Sequence, residues 1–251
     1  MKIFPFICAL FFLFTLAHGD EKTSQKPSQV VVIVHGSWGG GWDYKEIESL
    51  LEDKGYTVYR PTLTGLGERE HLNGPHVNLD THILDIVNLL KFEELYEVIL
   101  VGHSYAGMII TGVAHRTPER IKHLIYMDAL LPVHGESVFS LMEPKKAKML
   151  RDLAANSGET WEIPPFWGNW GKDVPQPTAT YTQPISLGNM AAEKIQATYV
   201  LTVEPGETTD EFSRYAKRAK ERDWHYHELP TGHNVHRTMP NEYAEIILRI
   251  K

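Results

Sequence analysis

Apolar residues in this chain fall into two alternating patterns: short runs that are apolar throughout, and longer segments in which apolar residues recur every three or four positions. Gln29 to Val34 is the first of the short runs. It is rich in β-branched residues and does not alternate, as suits a strand buried on both faces of a parallel sheet. Ile47, Leu50 and Leu51 then share one face of a helix that Asp43 is expected to cap, that runs to about Asp53 and that Gly55 ends. Thr57 to Pro61 reads as the next strand, and Leu63 to Asn78 as a polar, glycine-containing excursion. Asp80 to Phe92 is an amphipathic helix with Ile83, Ile86, Val87 and Leu90 aligned. The apolar run from Glu97 into His103 is a strand that turns directly into a helix. Further strands are expected at His123 to Met127, ending at Asp128, at Ala197 to Val203, ending at Glu204, and at Trp224 to Leu229. Helices are expected at Asp210 to Arg222 and at Asn241 to Ile250. Strands alternating with helices predict an α/β fold: a mostly parallel sheet of about six strands with helices on both faces. There is no internal repeat, and residues 29–251 read as one domain.

One stretch breaks the rhythm. From about 132 to 192 the chain is proline-rich, has a single good helical run near Pro144 to Asn156, and carries Trp161, Phe166, Trp167 and Trp170. A segment this long between two strands of one sheet is expected to form a cap, inserted after the strand ending at Asp128 and lying over the strand ends. Its aromatic residues, together with Trp38, are candidate walls of a substrate pocket, the alternative being the cap's own core.

Composition changes the picture mainly at the N-terminus. Met1-Lys2, the apolar run Ile3 to Leu16 and the small-residue site around Ala17-His18-Gly19 have the three regions of a secretory signal, and the apolar part is short for a membrane span. Residues 1–19 are therefore expected to be a signal peptide and 20–28 a solvated linker, which makes the protein an exported one, periplasmic or secreted, with no membrane partner after cleavage. Cys8, the only cysteine, lies in the leader, so the mature chain would hold no disulfide. The formal net charge of −7 becomes one unit more negative when Lys2 leaves, which argues against nucleic acid as a partner.

The candidate chemistry centres on Gly102-His103-Ser104-Tyr105-Ala106-Gly107. A tight strand-to-helix turn lifts its apical residue, Ser104, clear of the sheet and requires small residues two positions to either side, here Gly102 and Ala106, with Gly107 beyond. At a helix N-terminus Ser104 also sits among backbone N–H groups that favour developing negative charge. A serine hydroxyl needs a base. His233, in Pro230-Thr231-Gly232-His233 after the last strand, opens at the same edge of the sheet, whereas His103 is expected beneath the turn and His225 and His227 lie within a strand. The acid that orients the base is Asp128 or Glu204. Asp128 is favoured because it follows its strand without a break, while Glu204 precedes Pro205-Gly206 and can turn outward. His35-Gly36-Ser37-Trp38-Gly39-Gly40-Gly41 forms a loop whose backbone can approach a ligand, without the lysine of a phosphate-binding loop. His71 and His76, with His82 beyond, are the nearest approach to a metal cluster, and His71 and His76 are expected in a solvated loop, so neither metal nor organic cofactor is expected.

With these motifs in this order, including Asp128-Ala129-Leu130-Leu131-Pro132, the chain resembles the alpha/beta-hydrolase superfamily. More narrowly, it resembles the small-lid group of plant methyl-ester esterases, hydroxynitrile lyases and bacterial carboxylesterases. The resemblance implies a serine esterase cleaving small carboxylic esters through an acyl-enzyme. It implies Ser104 as nucleophile, His233 as base, and the backbone N–H groups of Ser37 and Tyr105 as oxyanion hole. Many relatives place the acid at the position of Glu204. A hydroxynitrile-lyase activity on this scaffold is the alternative, but Gly36 and Asn234 stand where those relatives carry threonine and lysine. A ligand-binding protein without chemistry is the third reading. The resemblance leaves the oligomeric state open.

Overall fold

The computed structural model describes residues 28–167 and 171–250. The expected signal peptide, Cys8, most of the linker and Trp170 lie outside the described residues.

Six strands form the main sheet: β1 (Val30–Val34), β2 (Thr57–Tyr59), β3 (Val98–His103), β4 (Ile121–Met127) and, after a long insertion, β7 (Gln196–Thr202) and β8 (His225–Leu229). They are ordered β2-β1-β3-β4-β7-β8, and every pairing is parallel. The absence of alternation in the sequence has a direct structural counterpart. Val31 and Ile33 of β1, with Ile99 and Val101 of β3, join one core, while Val32, Val34 and Leu100 join the other. Helices α1 (Lys45–Glu52) and α9 (Pro240–Leu248), with the short α8 (Val235–Thr238) before the latter, cover the first core. Helices α2 (Leu79–Phe92), α3 (Ala106–Arg116) and α7 (Ser213–Glu221) contribute to the second. The four central strands β1, β3, β4 and β7 are thus buried on both sides, as suits a parallel sheet, while the edge strands β2 and β8 are largely half-buried or exposed.

Most helix boundaries follow local chemistry. Asn78 caps α2 in a reciprocal bond with Thr81, and Gly55 leaves α1 with φ of +82°. The start of α1 differs from expectation. Gly41–Tyr44 forms a 3-10 turn, α1 begins after it, and Asp43 caps nothing. Its carboxylate instead accepts hydrogen bonds from His236 Nε2 at 2.8 Å and Arg237 Nη2 at 2.6 Å. His82 lies within the expected helix but points inward. It is fully buried on α2, between the Tyr105 hydroxyl (3.0 Å) and the Thr64 carbonyl (2.9 Å).

The insertion between β4 and β7 contains α5 (Pro144–Asn156), as expected. It also holds two four-residue helices, α4 (Val138–Leu141) and α6 (Ala179–Thr182), and an antiparallel pair, β5 (Glu162–Ile163) with β6 (Gln176–Pro177). This segment lies over the carboxyl ends of the central strands, where a cavity of about 690 Å³ opens.

Candidate active site

Ser104 follows β3 at the turn into α3 with φ of +59°, a left-handed conformation that costs a non-glycine residue energy and that only a well-packed surround maintains. The surround is close. A Cβ on Gly107 would lie 1.8 Å from the Leu130 carbonyl oxygen, because residues 128–131 cross directly over the start of α3. A Cβ on Gly102 would lie 2.9 Å from the Ala106 carbonyl. Glycine is therefore demanded at 102 and 107, and the methyl of Ala106 is accommodated. The Ser104 carbonyl accepts from Gly107 N–H at 3.1 Å and Leu130 N–H at 3.0 Å, which fixes the turn from behind.

The structure brings Ser104, His233 and Asp128 together. Asp128 ends β4 with φ of +45° and is 0 % exposed. One carboxylate oxygen accepts from the Thr202 N–H at 2.9 Å and the other from His233 Nδ1–H at 2.6 Å. With its proton on Nδ1, the His233 ring presents Nε2 as acceptor to the Ser104 hydroxyl, 2.9 Å away. Glu204 makes no such contact. It is exposed, with its carboxylate over Gly232.

His233 is held on several sides. Its ring stacks on Phe212 with centroids 4.8 Å apart and planes 10° from parallel. Its carbonyl accepts from His103 Nε2–H at 2.9 Å, and His103 Nδ1 accepts from the Tyr44 hydroxyl at 2.9 Å. Burial, with the neighbouring His233 and His236 adding to it, keeps the His103 pKa well below the ordinary histidine value, so this ring is a neutral strut beneath the turn.

On the other side of Ser104, His35 orders the loop after β1. Its Nδ1–H donates to the Gly36 carbonyl at 2.7 Å, and Nε2 accepts from the Leu63 N–H at 3.0 Å. The bond accepted by Nε2 needs the neutral ring, which burial enforces by pushing the pKa down to about 4. Because a trans peptide points its C=O and N–H in opposite directions, pinning the Gly36 carbonyl also aims the Ser37 N–H. Neither that N–H nor the Tyr105 N–H donates to another group among the described residues. Gly36 lies against Ser104, where a Cβ would come within 3.1 Å of the serine Cβ.

Four hydrogen bonds tie this loop to the insertion above it. Trp38, with φ of +62°, donates its backbone N–H to Gln176 Oε1 at 3.0 Å and its indole N–H to the Ile163 carbonyl at 2.9 Å. Its carbonyl accepts from the Val174 N–H at 2.9 Å, and Ser37 Oγ lies 2.6 Å from the Tyr181 hydroxyl. Phe166 and Trp167 pack edge-on against the Trp38 ring at 5.6 and 5.2 Å, and all three line the cavity. Trp161 does not line it. Glu159, two residues back in the turn before β5, accepts its indole N–H at 2.8 Å and keeps it outside.

Sequence reasoning missed Tyr181, Gln176 and Phe212. Tyr181 and Gln176 lie in irregular or very short elements, and Phe212 precedes a helix whose pattern is set by its charged residues, so no periodicity marks them.

Residues 31–246 match the model of the alpha/beta hydrolase family. A carbendazim hydrolyzing esterase of Nocardioides sp. (strain SG-4G) is 39% identical over 235 residues, which span 85% of this chain and 96% of that one. A pyrethroid hydrolase of Sphingobium wenxiniae is 33% identical over 107 residues, 42% of this chain and 37% of the other. Among solved structures, an extracellular alpha/beta-hydrolase from a Paenibacillus species superposes with a TM-score of 0.77 at 22% identity, covering 88% of this chain and 98% of its own.

Proposed function

Given that the chain belongs to the alpha/beta hydrolase family and is a carboxylic ester hydrolase, we propose that it acts as a serine esterase through an acyl-enzyme on Ser104. The observation that carries this reading is the unbroken series of hydrogen bonds from Ser104 through His233 to the buried Asp128 at the floor of the cavity.

The serine oxygen attacks the ester carbonyl carbon and its proton passes to His233 Nε2, while the carbonyl π pair moves onto oxygen. Asp128 holds the ring in the tautomer that can accept the proton and stabilises the imidazolium that results. The oxyanion is received by the N–H groups of Ser37 and Tyr105, which are already oriented and so need no reorganisation during the reaction. Collapse of the tetrahedral intermediate breaks the bond to the alkoxy oxygen, which takes the proton from His233 and leaves as alcohol. Water then enters, gives a proton to His233 and attacks the acyl carbon, and the reverse collapse frees Ser104 and the acid.

The aromatic walls formed by Trp38, Phe166 and Trp167 suit a substrate with a flat or apolar acyl or alcohol part. Carbendazim and aryl esters are therefore the first substrates to try, beside p-nitrophenyl esters of increasing chain length. Export is part of the proposal, and protein recovered from outside the cytoplasm is expected to begin at Asp20. The main test is labelling of the full chain by a fluorophosphonate, followed by peptide mass analysis. The label is expected on Ser104, and Ser104→Ala is expected to lose both label and ester hydrolysis, the latter by on the order of 10⁴-fold or more. Activity of that variant within tenfold of the parent would remove Ser104 from the role.

A further inference from the structure

The 2.6 Å contact between Ser37 Oγ and the Tyr181 hydroxyl involves two hydroxyl groups, and thus two protons for one shared hydrogen bond. Where the second proton goes decides what the pair can do. Tyr181 is 2 % exposed and is walled by the rings of Trp38, Tyr105 and Phe139, at centroid distances of 6.0, 5.8 and 5.4 Å. Among the described residues its hydroxyl has no partner other than Ser37. If Ser37 donated to Tyr181, the phenolic proton would be left buried without an acceptor, at a cost of about 1–3 kcal/mol. If Tyr181 donates, the unspent proton belongs to Ser37, which is only partly buried and lines the cavity beside Ser104 and His233. Burial also raises the Tyr181 pKa well above the ordinary tyrosine value, so the phenol keeps its proton. Tyr181 also borders the cavity, but it is far more buried than Ser37, so the favoured direction is Tyr181 to Ser37.

We propose that the Ser37 hydroxyl, turned toward the cavity and polarised by the hydrogen bond it accepts from Tyr181, is a third donor to the oxyanion formed during ester hydrolysis. The inference rests on the serine-esterase reading, in which the Ser37 N–H already faces that oxygen. The side-chain hydroxyl of the same residue lines the same cavity as Ser104 and His233 and is assigned the same oxygen. No proton is transferred: Ser37 keeps its hydrogen throughout, and the bond strengthens as charge builds on the carbonyl oxygen. Ser37 is then a catalytic residue by side chain as well as backbone, and Tyr181 is a positioning residue that works only through it. The hydroxyl of a residue in the loop after β1 would thus depend on α6 of the insertion, which supplies the tyrosine.

Steady-state hydrolysis of p-nitrophenyl acetate, affinity for a trifluoromethyl ketone that forms a tetrahedral adduct, and thermal midpoints test the proposal on the full chain. The variants are Ser37→Ala, Ser37→Thr, Tyr181→Phe and Ser37→Ala with Tyr181→Phe. Loss of one oxyanion donor typically costs about 10²- to 10³-fold in kcat. Because two N–H donors remain, Ser37→Ala is expected to lower kcat by about 10- to 100-fold with KM within about threefold, and to weaken the ketone in parallel. Tyr181→Phe should lower kcat by about three- to tenfold, Ser37→Thr should restore most of the loss, and the double variant should be no slower than Ser37→Ala, since the two act in series. Parent-like kcat in Ser37→Ala would overturn the proposal. So would multiplying losses in the double variant, or a loss confined to thermal stability with unchanged ketone affinity. Failure of the underlying reading would appear separately, as Ser104→Ala retaining hydrolysis.

Discussion

Asp128 and Glu204 show what decides a role at the scale of one residue. Both follow sheet strands at the edge where His233 sits, yet only Asp128 meets the imidazole. Its short side chain leaves the end of β4 in a left-handed turn and is fixed from both sides, by Thr202 N–H and by His233. Asp128→Asn preserves volume but offers an amide where a carboxylate orients the ring, and a comparable loss can cost up to about 10⁴-fold in turnover. Turnover on a p-nitrophenyl ester is expected to fall by at least about 10²-fold, while Glu204→Gln stays within tenfold. The opposite ranking would make Asp128 structural. The contact of Asp128 with His233 was legible in the sequence because it depends on local facts, side-chain length and an unbroken strand. The partners of Asp43 and His82 were not legible, for the converse reason. They lie far along the chain, at His236 and Arg237 for Asp43 and at Tyr105 and Thr64 for His82, and no local pattern announces such pairings.

Among elements, the strands and long helices were legible to within about three residues at their ends, because burial and helical periodicity leave strong marks in composition. The insertion was legible as an interruption with one helix, Pro144–Asn156, and little more. Its short helices and two-residue strands have no period to read, although their contacts organise the loop after β1. Gln176 is the clearest case: fully buried, it supplies the acceptor for the Trp38 N–H, and Trp38 holds a left-handed backbone beside Ser37. Gln176→Leu would leave that N–H buried and unpaired, at about 1–3 kcal/mol, and release the strained residue. The expected result is a fall in kcat of about tenfold or more with KM changed far less, measured on the same ester. An unchanged kcat with a lowered thermal midpoint would show that the clamp stabilises the insertion without setting the loop.

Across the whole molecule, the histidines link stability to pH. Burial pushes His35, His82 and His123 down to about 4, from an ordinary value of 6.5. As pH falls below about 6.5 the unfolded chain takes up these protons first, so stability is complete above that point and is lost progressively down to about pH 4. Each ring contributes on the order of 1 kcal/mol per pH unit in that window. The thermal midpoint is expected to drop by several degrees between pH 6.5 and pH 5, and His123→Gln, which can still bond Thr198 Oγ1, should make the slope shallower. A midpoint that does not move between pH 7 and pH 5 would contradict this account. Fold class and sheet were readable at this scale because they follow from the order of elements. The buried state of these histidines was not, because it depends on how the layers close over them.

The crossing of the insertion over the loop after β1 also has a spectroscopic consequence. Of the six tryptophans, Trp38 and Trp42 lie in that loop and Trp161 and Trp167 in the insertion, whereas Trp224 adjoins β8. Indole emission therefore reports mostly on the region above the strand ends, and far-ultraviolet ellipticity mostly on the sheet and its long helices. The insertion is built from short elements, and short elements open at lower free energy than a doubly covered sheet. Emission is expected to change at lower denaturant concentration than ellipticity, and a tightly bound active-site inhibitor should bring the two transitions together.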